Sequence, residues 1–311
     1  MPLSEFSLIR RFFTGQEVSN PSTRLGIGDD CALLSIPEGY ELAVTADTMV
    51  ENVHFFAGAD PKQLGHKLLA VNLSDLAAMG AKPLSVMLAL TLPKVDEAWL
   101  ADFAQGFLDL AARYSIDLIG GDTTSGPLTL TVQAMGLVPK GQALQRSAAR
   151  PGDWIYVTGN LGDAGLGLKI CQGYPCAQPA TALKRFHQPE PRCSEGQALR
   201  GIANACIDIS DGLAGDLGHI LELSGVGAAI EWDALPLSRE VKTYIEATGD
   251  WQLPLTAGDD YELCFTVSPK KTSTLPFDCH KIGMIEPEPG LRLNKSGTTH
   301  FLKAQGYEHF S

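Results

Sequence analysis

Carboxylates stand at six places in this sequence where a strand ends or a helix begins. They are Asp29-Asp30, Asp47, Asp75, Asp122, Asp208 with Asp211, and Asp259-Asp260 with Glu262. Most have Gly, Ser or Thr neighbours. Glycine lets the backbone approach a ligand closely, and hydroxyl and carboxylate oxygens are the hard donors that Mg²⁺ prefers. Each place taken alone has an architectural reading, because Asp caps helices and shapes Gly turns. Asp211, in Asp208-Ile-Ser-Asp-Gly212, is itself a fair helix N-cap. Asp75 is different. It lies in a stretch, Leu68–Pro83, that reads as a helix apolar on nearly every side, and such a helix is buried. A lone buried carboxylate is costly unless a cation meets it. Lys67 and Lys82 lie only at the ends of the stretch. Caps need not converge, but metal ligands must, so the set points to several divalent metals and the phosphates of a nucleotide.

Other side chains fit around that set. His54 follows the acidic strand by a few residues and reads as a surface loop histidine or a ligand contact. Arg146, beside Ser147, is a solvated charge or a fork for a phosphate. Glu262 precedes an apolar run, Leu263–Val267, and reads as a strand-edge charge or part of a site. The loop from Gly159 to Gly167 follows a strand and opens a helix, but its glycine spacing is wrong for G-x-G-x-x-G and no acid closes a second strand downstream. It remains an anion-receptive helix start. No G-x-x-x-x-G-K-[ST], H-E-x-x-H, G-x-S-x-G or kinase catalytic loop occurs. A nucleotide, if used, must be held through metals rather than by a lysine-bearing loop.

The elements that must position these residues are legible in outline. Arg24–Ile36 reads as a strand interrupted at Gly28-Asp29-Asp30, and Glu41–Val50 as a second strand carrying Asp47. Asp60-Pro61 is an N-cap with Pro at the first helical position; Gly80 and Pro83 stop that helix. Leu84–Leu92 is an apolar strand, Asp96 caps a helix to about Tyr114, and Ile116–Gly120 is a short strand ending at Gly121-Asp122-Thr123-Thr124. Leu128–Val138 is another strand. Residues 1–138 form one domain, 139–152 a Gly-rich, basic linker, and 153–311 a second domain. In that second part Trp154–Thr158 is a strand, Gly159–Ile170 a turn into a helix, and Pro175–Pro191 a surface excursion. Ser194–Ala205 is a helix, Cys206–Ile209 a strand, and Ser210–Ser224 a helix; strands flank the acidic 258–262 turn, and the end, 306–310, is aromatic. Strands and helices mix without strict alternation, so the fold class is α+β rather than doubly wound.

Bulk properties narrow the class. The chain has 311 residues, enough for two cores, with 44% apolar and 19% charged residues, ordinary for a globular enzyme. Arg10 and Arg11 interrupt the apolar pattern of the first residues, which read as a short amphipathic helix rather than a signal peptide. No apolar run approaches the roughly 20 residues of a membrane span. Seven cysteines without a C-x-x-C pair argue against a disulfide framework or zinc site and fit a reducing cytoplasm. A net charge of −12 repels nucleic acid and anionic membranes; a phosphate substrate would need bound cations to reverse the local field.

Six segments together carry a family resemblance: Gly26–Ala32, Thr45–Phe55, Asn72–Gly80, Gly120–Thr124, Asp208–Gly212 and Gly258–Glu262. In order and over essentially the whole chain they resemble the thiamine-monophosphate kinases. The wider superfamily of aminoimidazole ribonucleotide synthetase shares the Asp-rich ATP site but not the segments around His54 and Glu262. The resemblance implies two α+β domains, a homodimer in which the N-terminal sheets close a barrel, and transfer of the γ-phosphoryl of ATP to thiamine monophosphate. It implies magnesium ligands at Asp30, Thr45, Ala46 (through its carbonyl), Asp47, Asp75, Asp122, Asp208 and Asp211, with Asp75, Asp30 and Asp211 closest to the chemistry. It implies nucleotide contacts at Gly121, Asp122, Arg146 and Ser210, and acceptor contacts at His54, Glu262 and Tyr307.

Two rivals stand beside this reading. One is a non-catalytic divalent-cation-binding protein, against which the acids are scattered rather than gathered in a 12-residue loop. The other is a different ATP enzyme of the superfamily, of the selenophosphate or aminoimidazole ribonucleotide synthetase type. The selenium chemistry would need a reactive thiol near the N-terminus, for which Cys31 is the candidate, although a buried structural role is commoner for cysteine.

Overall fold

The computed structural model describes residues 5–14 and 20–303, in two compact units. The first takes in residues up to Leu76 and Ala81–Gly141; the second takes in Ala77–Gly80 and everything from Gln142. The expected aromatic end, with Tyr307, lies outside the described residues.

The first unit opens with helix α1 (Glu5–Phe12) and a small antiparallel pair, β1 (Thr23–Leu25) and β2 (Leu33–Leu34). The turn between the pair carries Asp29 and Asp30. Then come β3 (Tyr40–Val50), α2 (Pro61–Ala78), β4 (Lys82–Leu92), α3 (Glu97–Arg113), β5 (Asp117–Ser125) and β6 (Thr129–Pro139). Among the described residues they form a four-stranded sheet in the order β3-β6-β4-β5, antiparallel except for β4 and β5. The parallel pair is joined through α3, as a crossover requires. Asp60 starts α2 by accepting the Gln63 N–H at 2.9 Å, and Asp96 starts α3 by accepting that of Trp99 at 3.2 Å. Helix α2 ends where Gly80 N–H bonds Ala77 O and Ala81 N–H bonds Leu76 O, the paired closure of a Schellman motif. Leu100, Phe103, Phe107 and Leu110 of α3 recur at helical spacing and are buried.

The second unit contains β7 (Trp154–Val157), α4 (Asp163–Cys171), α5 (Ala180–His187), α6 (Cys193–Ala198), β8 (Ala205–Asp208), α7 (Leu213–Ser224), β9 (Gly227–Glu231), α8 (Arg239–Thr248), α9 (Leu253–Thr256), β10 (Leu263–Val267), β11 (His280–Glu286), β12 (Gly290–Lys295) and β13 (Thr298–Leu302). Its seven-stranded sheet runs β13-β12-β9-β11-β7-β10-β8 among the described residues. Its core packs Ile155, Val157, Ile207, Leu217, Ile220 and Ile282, among others, without solvent exposure worth counting.

Several local expectations are corrected. Gly121–Thr124 does not follow a strand but lies within β5, because β4 continues alongside as its parallel partner through Ser125. The Pro-rich excursion contains a helix, α5, anchored by buried Ala182 and Phe186. Helix α6 stops at Ala198, ahead of a turn through Gly201 at φ 72°. Helix α7 begins at Leu213 rather than Ser210. A short helix, α9, rather than a strand, leads into the acidic 258–262 turn. The seven cysteines are free, and Cys31 is exposed rather than buried. No helix of the described residues is long and apolar enough to cross a membrane.

Candidate active site

The expected site residues fall on both units. In the first, β3 and α2 are fastened to one another through them. Thr45 and Asp47 are two apart on β3 and so share a face; Asn72 and Asp75 are three apart on α2 and so share a side. Thr45 Oγ1 donates to Asp75 Oδ2. The Asp47 N–H donates to Asn72 Oδ1 at 3.1 Å, while Asn72 Nδ2 donates back to Leu68 O at 3.0 Å. Asn72 is fully buried, which makes both bonds obligatory. The buried carboxylate of the sequence reading therefore finds a hydroxyl partner on the neighbouring strand, and three of the expected metal ligands, Thr45, Asp47 and Asp75, lie together. Asp75 itself is half-buried.

Asp122 lies elsewhere on the same sheet. Cross-strand register puts Asp47, Val132, Leu88 and Gly121 in one row, with Asp122 beside Ala89 in the next. Asp47 and Gly121 thus sit on opposite edge strands, three spacings or about 14 Å apart along the sheet. Gly121 has φ 152°, and a Cβ there would overlap the Leu88 carbonyl, so no other residue fits this strand as built. Asp30 is exposed in the β1–β2 turn, where its N–H donates to Asp29 Oδ1 at 2.9 Å. Ala46 is exposed on β3. His54 sits in the turn after β3 and accepts the Val50 N–H at Nδ1, 3.0 Å. In the neutral ring this leaves the proton on Nε2.

In the second unit two loops run side by side at the ends of paired strands β8 and β10. Asp259 N–H donates to Ser210 O at 2.9 Å, Tyr261 N–H to Ile209 O at 2.8 Å, and Ile209 N–H to Glu262 O at 2.8 Å. Asp208, Ser210 and Asp211 are thereby brought beside Asp259–Glu262. Asp211 is not the cap of α7. Instead Asp216, inside that helix and buried, turns one oxygen back to accept the N–H groups of Ser210, Asp211 and Gly212 at 3.0, 3.0 and 3.1 Å. Burial pushes the Asp216 carboxyl up to about 7, against the three donors that favour its ionised form. Arg146 is exposed, next to Gln145, whose carbonyl accepts the Cys206 N–H of edge strand β8.

The 258–262 turn alternates. Asp259 and Tyr261 are half-buried and adopt left-handed conformations, φ 68° and 48°, rare for residues with a Cβ. Asp260 and Glu262 point inward and are each 1% exposed. The Asp260 carboxylate accepts the N–H groups of Gly162 (2.7 Å) and Ala164 (3.4 Å) at the start of α4, where a helix presents unpaired donors and positive potential. Burial nevertheless raises its carboxyl to about 8. Glu262 meets two guanidinium groups. Arg192 binds it through Nε (2.7 Å) and Nη2 (2.6 Å), and Arg185 through Nη2 (2.5 Å). Thr158 Oγ1 donates to it at 2.5 Å. Gly159 lies so close that a Cβ would press on the Glu262 carboxylate.

Sequence reasoning missed Asp216, Arg185, Arg192 and Thr158. The signal for Asp216 was available, since it is a carboxylate inside an apolar helix like Asp75. The arginines gave none. Among the described residues no group of three or more His, Cys, Asp or Glu side chains is arranged to hold one metal ion.

Comparison with known proteins decides the family. Residues 28–138 match the AIR synthase related protein N-terminal domain and residues 150–281 the corresponding C-terminal domain. The thiamine-monophosphate kinase of Escherichia coli (strain K12) is 48% identical over 327 aligned positions, covering 100% of this chain and 99% of that protein. The chain belongs to the thiamine-monophosphate kinase family. The crystal structure of the Stenotrophomonas maltophilia K279a thiamine-monophosphate kinase has a TM-score of 0.85 at 41% identity, covering 96% of this chain and 99% of that one. AaThiL complexed with AMPPCP and TMP has a TM-score of 0.80 at 29% identity, over 89% of each chain. The two-domain α+β organisation of this family is the one described above.

Proposed function

We propose that this chain transfers the γ-phosphoryl group of ATP to thiamine monophosphate, giving thiamine diphosphate and ADP, in the cytoplasm. The observation that carries the reading is the full-length likeness to thiamine-monophosphate kinases, joined to the acids gathered in the six segments of this chain. The oxygen donors on β3 and α2 and those at the end of β8 have the chemistry that suits magnesium. Asp30, Thr45, the Ala46 carbonyl, Asp47, Asp75, Asp122, Asp208 and Asp211 would hold several Mg²⁺ ions. Those ions, when bound, supply the charge neutralisation that lets two anionic phosphates approach in line.

The chain's own groups do the rest. Asn72 and Thr45 hold Asp47 and Asp75 toward each other. Asp216 shapes the loop that presents Ser210 and Asp211 to the nucleotide, with Gly121, Asp122 and Arg146 as further contacts. His54 and Tyr307 meet the acceptor, and Glu262 serves it by holding the 258–262 turn. The attacking phosphate oxygen is already largely deprotonated at neutral pH, so no strong general base is needed. Mixing the chain with ATP, magnesium and thiamine monophosphate tests this; a steady yield of thiamine diphosphate and ADP is expected, and ATP left intact would refute it.

The same reading includes a homodimer closing a barrel. Tyr40, Leu42 and Val44, alternate residues on one face of β3, are exposed at 46, 39 and 51%. An apolar stripe on a sheet face favours a covering partner. Leu42→Glu is expected to convert a dimer to monomer in light scattering; an unchanged mass would argue against this face.

A further inference from the structure

A carboxylate has two oxygens and about four acceptor positions. In Glu262 all four are filled from within the second unit. Oε1 takes Arg185 Nη2 and Arg192 Nη2, and Oε2 takes Arg192 Nε and Thr158 Oγ1. With 1% exposure it has neither surface nor lone pairs left for a ligand unless one of these bonds is given up. Arg185 also donates to the Asp260 carbonyl at 2.7 Å. The clamp therefore grips the 258–262 turn at two successive inward positions, from α5 and from the residue before α6. Thr158 Oγ1 further accepts the Leu263 N–H at 2.9 Å and ties the turn to β10. What the turn is held to present is the alternate pair, Asp259 and Tyr261. Tyr261 Oη donates to Asp259 Oδ1 at 3.0 Å, so the phenol ring carries a carboxylate at its edge. A ring so paired favours an organic cation over its face.

We infer that Glu262 is a positioning residue, locked by Arg185, Arg192 and Thr158, and that Tyr261 is the group this turn offers to the cationic heterocycle of the acceptor. The second half rests on the acceptor proposed above. It also gives the Pro175–Pro191 excursion a role: α5 brings Arg185 to the back of the acceptor turn.

The experiment measures KM for thiamine monophosphate, KM for ATP and Tm on the full chain. Tyr261→Ala is expected to raise KM for thiamine monophosphate about tenfold with KM for ATP within about twofold; Tyr261→Phe keeps most of the affinity. Glu262→Gln and Arg192→Lys are combined in a double-mutant cycle. A clamp predicts that their effects on acceptor KM overlap, so that the double variant resembles the worse single one. The inference is overturned if Glu262→Gln raises acceptor KM by the same factor with and without Arg192→Lys, or if Tyr261→Ala leaves it unchanged. A wild-type chain that phosphorylates some other acceptor and ignores thiamine monophosphate would sink the acceptor assignment and Tyr261's part with it. The clamp would then be judged by the same cycle read in Tm, where additive shifts refute it.

Discussion

Asp30, Asp75 and Asp122 of the first unit and Asp216, Asp260 and Glu262 of the second are treated differently by the fold. In the β1–β2 turn and on β5, Asp30 and Asp122 are exposed, and Asp75 is half-buried with a threonine hydroxyl on one oxygen. In the second unit Asp216, Asp260 and Glu262 are buried and receive three, two and four hydrogen bonds from the protein. Identical side chains thus serve as available oxygen in one place and as internal fasteners in the other. Counting carboxylates cannot separate these uses, whereas counting filled acceptor positions can.

That contrast is breakable. Glu262→Ala should have the largest effect on folding, about 3–5 kcal/mol, since Arg185 loses its carboxylate and Arg192 keeps only Glu195, at 3.7 Å; urea denaturation reads it, and a loss under about 1 kcal/mol would mean that the buried acids are not fasteners. Asp216→Ala should cost about 2–3 kcal/mol, because three loop N–H groups lose their acceptor, and should raise KM for ATP; Asp216→Asn should recover part of both. Asp75→Asn should stay folded, within about 1 kcal/mol of wild type, yet lose turnover on the order of a hundredfold. Wild-type turnover in that variant at ordinary magnesium would remove Asp75 from the site.

A single-site change in slope, the narrowest readout, is expected in the pH dependence. Burial holds Asp260 up to about 8 and Asp216 up to about 7, from 3.8. Between about pH 4 and 8 the folded chain keeps protons that the unfolded chain has released. Stability from these groups is therefore full below pH 4 and falls as pH rises through the window, by at most about 1.4 kcal/mol per pH unit and group. Asp260→Asn should flatten the slope of Tm against pH between 5 and 8; an unchanged slope would show that its proton is not retained.

How far these uses were legible depends on sequence distance. The cap at Asp60, the stop at Gly80 and the strand carrying Asp47 are local signals, and the structure has them. That Asp75 needs a partner followed from its apolar helix; that the partner is Thr45, 30 residues back, did not. Asp211 looked like a cap because the short motif permits it, but Asp216 supplies the acceptor from inside the helix. The Glu262 clamp joins groups 70 to 104 residues apart, and no pattern along the chain encodes such a meeting. Gly121–Thr124 read as a loop because Gly and Thr suit turns, while the pairing offered by β4 drew it into a strand.

The left-handed backbone at Asp259 and Tyr261 has a consequence for how this surface can evolve. Only a few side chains tolerate such φ values, and the neighbouring inward positions are committed to Asp260 and Glu262. Substitution within this turn therefore has little freedom, and change in what it meets would have to come from the walls around it instead.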